Sequence, residues 1–470
     1  MAANPPGCRP AVYARRRPEQ TVLYRLVQQH LETYLALACD GDGHAVPGYV
    51  ERELRRYLEC GILAYGFCQA RCPACGQDFL VAFSCKGRIC PSCNARRMAE
   101  TAAHLVDHVF PPLPVRQWVL SVPKRLRWYL EREPGAVTAV LHIFLRVVET
   151  HLRRICPEAS ARARFGAVSF VHRFGASLNR HIHYHCCILD GVFEPLQAGG
   201  VQFRQASSLA PEQVAVIEAQ VRRRVLRWFS RRGLLDPDDA RDMLTWDNSG
   251  FSLDASVCIA GDDRAGLERL LRYCARPPFA LERIEQVSED RIVYRLPEPQ
   301  RDGRTALSLS PLELIDHLAA LIPPPRLHRH RYHGVLAPNA PLRLAATAYG
   351  RDADPTSPPP PPKVSAPTTA APSSRSPAHY LRAMLLARLF ASLPLVCPNC
   401  GADMRIIAFI TEATPVRRIL LALDEPAEPP RIAPARGPPA WDDPPVEAVP
   451  DWDALAQPSP EYVFNQEVQW

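Results

Sequence analysis

The chain has 470 residues, 49 of them proline and 16 cysteine, with 56 Lys and Arg against 49 Asp and Glu. Its length allows about two to four domains, and a mixture 47% hydrophobic and 22% charged excludes a collagen-like or wholly disordered chain. The best apolar run is interrupted by His142 and Arg146, and Arg15, Arg16, Arg17 and Arg25 stand where a signal peptide would be apolar. The expectation is therefore a cytoplasmic protein without a membrane span.

In chain order, Thr21 to Cys39 carries apolar residues at helical spacing, which predicts an N-terminal helical region over 1–59. Seven cysteines then fall between Cys60 and Cys93. In a reducing compartment such a cluster points to metal rather than disulfides. Cys72/Cys75 and Cys90/Cys93 are two CxxC pairs flanking an apolar strand, Phe79 to Phe83. Four thiolates suit tetrahedral Zn²⁺, so the expectation is one structural zinc site in a module over 60–97. Cys60, Cys68 and Cys85 are left over; Cys60 and Cys85 are possible further ligands, and Cys68 is expected to pack. Lys86, Arg88, Arg96 and Arg97 surround the pairs and are candidates for phosphate contact.

Helical patterns follow at Met98 to Phe110, Ala136 to Cys156 and Glu212 to Arg232, among strands at Arg116 to Pro123, Gly166 to Arg173 and Arg180 to Phe193. This order predicts an α+β domain over 98–345. Within its last strand, His181, His183 and His185 alternate, so period two sets all three on one face. Imidazoles about 7 Å apart on a strand can hold one divalent metal from one side and leave other positions open; a polar sheet face whose histidines bond to neighbours is the alternative. Tyr273 lies in a predicted helix, Ala265 to Pro278, with Arg269, Arg272 and Arg276 within a turn, where they could hold a phosphate near its hydroxyl.

Nine prolines in Arg351 to Ala378 mark a linker, taken as 346–378. A segment over 379–423 carries a third CxxC, Cys397/Cys400, half of a tetrahedral site. The tail, 424–470, has eleven prolines and a net charge of −8, and is expected to be disordered; the residues before it carry +15. So basic a body suits nucleic acid.

The segments CPACG…FSCKGRICPSCNARRMAETAAHLVDH (Cys72 to His108), RQWVLSVP, SLNRHIHYHCCILDGVF, RYCARPPFALERI, HRYHGVLAPN and CPNCGADMRIIAFI occur in one order. In that order the chain resembles the transposases of the insertion sequence 91 family, which move by a rolling-circle route. The resemblance implies an HUH endonuclease-like fold, an antiparallel sheet with helices, preceded by the zinc-binding module and followed by the Pro-rich linker and tail. It assigns His183-Tyr184-His185 to the metal-binding triplet, with His181 an accessory, although His181-Ile182-His183 also satisfies the pattern. It assigns Tyr273 to the nucleophile that forms a 5′-phosphotyrosine link in single-stranded DNA, with Mg²⁺ or Mn²⁺ as the catalytic ion. His333 and Asp190 are each plausible third ligands. Arg269 stands where two-tyrosine members have their other tyrosine, so the chain resembles the one-tyrosine, common-region-like subgroup. The partners implied are single-stranded DNA at element ends and target DNA, in a bacterial, nucleoid-associated setting. A plasmid-type relaxase or replication initiator with the same chemistry, and a non-catalytic zinc-finger DNA-binding regulator, are the competing functions.

Overall fold

The computed structural model describes residues 16–40, 45–133, 135–246, 248–300, 302–351, 397, 399–402 and 404–436. The described residues of the N-terminal region include helices α1 (Val22–Asp40) and α2 (Gly48–Glu59). Leu23, Leu26, Val27 and Leu31 of α1 share a core with Val50, Leu54 and Leu58 of α2. The buried Tyr24 hydroxyl donates to the Leu58 carbonyl at 2.9 Å, which satisfies its one polar group. A hairpin follows, β1 (Phe67–Arg71) and β2 (Asp78–Ala82), then α3 (Pro91–His104), which runs on as a π-helical turn, Leu105–Val109.

The three predicted strands of the central region are β3 (Val115–Ser121), β4 (Gly166–Phe174) and β5 (Arg180–Leu189), close to their predicted bounds. Between β3 and β4 lie α4 (Lys124–Arg132) and α5 (Ala136–Ile155). The predicted strand to Phe193 is two: at Asp190 the chain breaks and β6 (Gly191–Pro195) leaves to pair with β7 (Val201–Gln205). At that break the Asp190 carboxylate accepts from Nε and one Nη of Arg116 at 2.9 and 2.8 Å. Next come α6 (Pro211–Arg231), α7 (Pro237–Thr245), the short strands β8 (Ser252–Asp254) and β9 (Cys258–Ile259), and α8 (Arg264–Cys274).

With β13 (His330–Gly334), the main sheet has the order β13-β4-β5-β3-β8, with β9 also paired to β3, and every pairing is antiparallel. The α+β expectation is met as mixed helix and antiparallel sheet. Both faces are covered, which is why β5 reads as a continuous apolar run over Cys186–Leu189. On one face Trp118, Tyr184 and Ile188 meet Phe144 and Val148 of α5 and Val221 and Phe229 of α6. On the other, Val168, Phe170, Cys187 and Leu189 meet Leu267, Leu271 and Cys274 of α8 and the π-helical turn.

Not everything within 98–345 belongs to that sandwich. Strands β10 (Ile284–Gln286), β11 (Ile292–Arg295) and β12 (Ala306–Leu309) form a separate sheet, and with α9 (Pro311–Ala320) they share the core of α1 and α2. The C-terminal part also returns to the N-terminal region. Strand β14 (Arg405–Ile410) pairs with β1, making the order β14-β1-β2, and Val416 and Leu420 of the helix Ala413–Ala422 pack on Leu63 and Phe67.

Two expected boundaries change. Residues Arg343–Ala348 are helical, so the linker does not begin at 346; its remainder, 352–378, lies outside the described residues, as does 379–396. Residues 431–436 of the expected disordered tail lie against α1: the Ala433 N–H donates to the Gln28 carbonyl at 3.0 Å and the Arg436 N–H to the Thr33 hydroxyl at 2.9 Å. The rest of the tail, 437–470, lies outside the described residues.

Candidate metal centre and tyrosine

Strand register builds the histidine site. His172 of β4 stands directly across from His183 of β5, and Phe170 across from His185. Directly opposed side chains share a face, so His172, His183 and His185 converge. One nitrogen from each lies within 4.8 Å of the others. The remaining nitrogens are held. His172 Nε2 donates to the Cys274 carbonyl at 2.6 Å, His183 Nδ1 lies 3.3 Å from the His181 carbonyl, and His185 Nδ1 lies 2.9 Å from the Gln117 amide. That leaves His172 Nδ1 and His185 Nε2 buried without a hydrogen-bond partner. Orphaned nitrogens of this kind are costly unless a cation takes them.

Burial pushes His183 down to about 4 and His172 and His185 well below the ordinary histidine range. All three rings are therefore neutral at pH 7, the form that binds metal. The trio fits a divalent cation, with other positions left for oxygen ligands.

His181 is outside the trio, although its ring centroid is 4.8 Å from that of His183. Of the other candidate ligands, His333 is on the wrong face. It pairs with Ala167, of opposite parity to His172 on β4, and its Nε2 bonds to Ser169 Oγ at 2.8 Å. Asp190 is consumed by Arg116. Sequence reasoning missed His172, because one histidine in GAVSFVHR carries no spacing signal of its own; its partner is fixed only by the β4–β5 register.

Tyr273 approaches the same face from α8, its ring 5.6 Å from that of His185 and nearly perpendicular to it. Leu267, Leu270 and Leu271 anchor the helix on the sheet. The Asp263 carboxylate caps its first turn by accepting from the Gly266 N–H at 2.7 Å. Cys274, the next residue, accepts from His172 through its carbonyl, so the tyrosine helix is bonded to the histidine site. Arg276 lies 4.6 Å above the Tyr273 ring and 5.8 Å from that of Phe174. Arg272 and Arg269 do not join it: Arg272 pairs with Glu268 at 2.7 Å and Arg269 reaches Asp263 at 3.9 Å.

The cysteines divide differently from the sequence expectation. Cys60, Cys85, Cys90 and Cys93 form one group, and Cys72, Cys75, Cys397 and Cys400 another. The reason is β2: five extended residues span about 17 Å, so the strand separates the Cys72/Cys75 end of the hairpin from the Cys85 end. Each group therefore completes its tetrahedron elsewhere. Cys60 at the end of α2 and Cys85 serve the first; the C-terminal pair serves the second.

A signal for this division is present in the sequence. CPACG and CPNCG end in Gly76 and Gly401, which take φ of 71° and 74°, a conformation that favours glycine. Their N–H groups donate to the Cys72 and Cys397 carbonyls, both at 2.9 Å, making two like knuckles. CPSCN instead opens helix α3 at Pro91. Within the first group the Cys85 N–H points at Cys60 Sγ at 3.4 Å and the Gly87 N–H at Cys85 Sγ at 3.2 Å. Hydrogen bonds from its three partners lower the Cys60 thiol while the same contacts raise Cys85 and Cys90, and backbone N–H groups lower Cys72 to about 7 while Cys75 and Cys400 are raised. Cys68 belongs to neither group.

Of the basic residues near the cysteines, Arg96 is paired with Glu100 at 3.0 Å, while Arg97 donates to the Lys86 carbonyl at 2.8 Å and Arg88 to the Pro324 carbonyl at 2.9 Å. Lys86 is exposed.

Residues 166–342 match a family model described as "Putative transposase", and residues 26–122 match one described as "Transposase zinc-binding domain". The chain is also similar to a protein named "Putative transposase y4qJ" from Sinorhizobium fredii, 24% identical over 344 residues, which cover 69% of this chain and 81% of the relative. No solved structure matches the chain. The first model spans β4, β5, α8 and β13, and so contains the histidine trio and Tyr273. The second contains the whole Cys60 group but only half of the other. The zinc-binding domain and the two four-cysteine groups support structural Zn²⁺. No helix among the described residues is long and apolar enough to cross a membrane.

Proposed function

The chain belongs to the insertion sequence 91 family of transposases, and from that premise we propose that it cuts and transfers single-stranded DNA through Tyr273 on an HUH endonuclease-like sheet. The observation that carries this reading is the convergence of three neutral imidazoles, two buried and that of His183 half-buried, beside the ring of a half-buried tyrosine on a facing helix.

His172, His183 and His185 would hold a divalent ion, Mg²⁺ or Mn²⁺, which supplies Lewis-acid polarisation of the phosphate oxygens. The chain's own groups do the rest. Helix α8 presents the Tyr273 hydroxyl on the histidine face, and its oxygen forms a bond to phosphorus as the bond to the 3′-oxygen breaks. The product is a 5′-phosphotyrosine and a free 3′-hydroxyl, which takes up the proton the phenol gives up. The phosphodiester count is unchanged, so religation needs no ATP. Arg276, stacked over the tyrosine ring, brings positive charge to the phosphate. Glu268 draws Arg272 aside, leaving Arg276 as the arginine of α8's C-terminal end that faces the site.

The test is covalent. The full chain, Mn²⁺ and a labelled single-stranded oligonucleotide carrying the element end should give an adduct that survives denaturation. It should disappear in Tyr273→Phe and in His183→Ala. An adduct that persists in Tyr273→Phe, or none with either element end, refutes the proposal.

A further inference from the structure

A cleft of about 610 Å³ opens beside the histidine trio, with His172 in its wall. Four parts of the chain build it: Arg88 and Arg97 from the cysteine module, the end of β4 with His172 and Arg173, Arg276 and Cys274 from the end of α8, and Arg329 to Tyr332 leading into and along β13. Six arginines line it and no aspartate or glutamate does. Among the described residues, none of the six has a carboxylate ion pair.

Such charge is unusual so close to a protein's core. Elsewhere in this chain arginines in comparable positions are answered, as Arg116 is by Asp190 and Arg55 by Glu32. In the cleft no carboxylate answers them: Arg97 donates to the Lys86 carbonyl, Arg329 reaches the Arg88 carbonyl at 3.4 Å, Arg331 turns away to the Thr138 hydroxyl of α5 at 2.9 Å, and the Arg276 Nε is a buried donor with no hydrogen-bond partner. Glu53 is the carboxylate that acts on Arg329, but it accepts from the Arg88 backbone N–H. Burial together with Arg97 and Arg88 lowers Arg329 to about 10. Removing a hydrated guanidinium from water beside two others is unfavourable without an anion to offset it.

We propose that this cleft is the channel for the phosphodiester backbone of the strand being cut, and that the cysteine module forms one wall of it. The ligand is single-stranded nucleic acid. The arginines span the gap between module and sheet where successive phosphates would pass, and the half-buried ring of Tyr332 lies in the same wall, where a base could stack. The first cysteine group thereby gains a role beyond folding: Arg88 is anchored two residues before Cys90 and Arg97 rises from the first turns of α3, so the metal that holds Cys90 and Cys93 also sets both guanidiniums. The identity of the ligand rests on the strand-cutting reading; the existence of an anion channel does not.

Binding of a fluorescent single strand and of the matching duplex to the full chain, followed against salt, tests this. Arg97→Gln and Arg329→Gln should each weaken single-strand binding several-fold and reduce the slope of log K against log salt by about 0.7, one phosphate contact. Arg269→Gln, exposed and on the Asp263 side of α8, should change neither. Phenylglyoxal labelling of the wild-type chain gives the same answer without a variant: single-stranded DNA should protect Arg97 and Arg329 and leave Arg269 reactive. Unchanged slopes, absent protection, or an effect on duplex alone overturns the channel. If wild type forms the tyrosine adduct while these arginines prove indifferent, only the channel falls. If they respond but no adduct forms, the cutting reading falls and the channel stands.

Discussion

Replacing Gln117 probes the histidine site without touching a proposed ligand. Its side chain is buried on β3 at 5% exposure, and its amide lies 2.9 Å from His185 Nδ1 and 3.5 Å from Cys274 Sγ. A histidine that binds metal through Nε2 carries its proton on Nδ1 and needs an acceptor there. Turning the Gln117 amide by half a turn puts Oε1 in that place, where it accepts from His185 and can take the weak Cys274 S–H as well. Gln117→Leu removes the acceptor and leaves Nδ1 buried and unpaired, a cost of about 1–3 kcal/mol. That corresponds to a 10–100-fold loss of divalent-ion affinity, the range typical of such supporting groups. Gln117→Glu keeps an acceptor and should bind at least as tightly as wild type. Titration of the full chain with Mn²⁺, following the free-ion paramagnetic resonance signal, reads this without disturbing cysteine-bound zinc. A Leu variant within a factor of two of wild type, or a Glu variant as weak as the Leu, refutes the reasoning.

Other expectations follow from the same geometry. Wild-type protein should carry two zinc ions per chain by elemental analysis, and Cys90→Ser and Cys400→Ser should each lose one; loss of both together from either variant would contradict the separate groups. In Cys400→Ser, hydrogen exchange should accelerate in Arg405–Ile410, because β14 is held beside β1 by the second cysteine group, while the main sheet stays protected. His333 supplies a pH test. Burial, His142 and Arg331 push it down to about 4, so between the unfolded value near 6.5 and that value only the unfolded chain takes the proton. Its contribution is present above about pH 6.5 and is lost as pH falls, at up to about 1.4 kcal/mol per unit. His333→Asn should therefore show a shallower fall of melting temperature on acidification than wild type; parallel curves would remove His333 from the account.

What the sequence made legible was set by local pattern. The long helices α1, α5 and α6 and the strands β3, β4 and β5 were readable because their periodicities are internal to each segment. Alternation likewise put His183 and His185 on one face. The third imidazole was not readable, since His172 meets them only through antiparallel register, a relation between segments. The sheet β10–β12 was hidden for a similar reason: its strands are only three or four residues long, and its choice of α1 as a partner leaves no trace in its own composition.

The cysteines show how a correct residue type can still mislead about connectivity. CxxC pairs give ligand identity but not which pairs meet, and proximity along the chain favours the nearer pair because closing a short loop costs less entropy. Here that preference is overruled by the stiffness of β2, and Cys75 finds Cys397 across 322 residues. The entropic penalty grows only logarithmically with loop length, so a metal can make such a closure where two apolar side chains, Val416 and Leu420, would give little alone. The consequence is topological: the chain leaves the module at α3, builds the main sheet and the tyrosine helix, and is returned to the same module by the second cysteine group. Arginines of the module and Arg329, just before β13, can then face one cleft beside the histidines, because both ends of the intervening chain are held on one support.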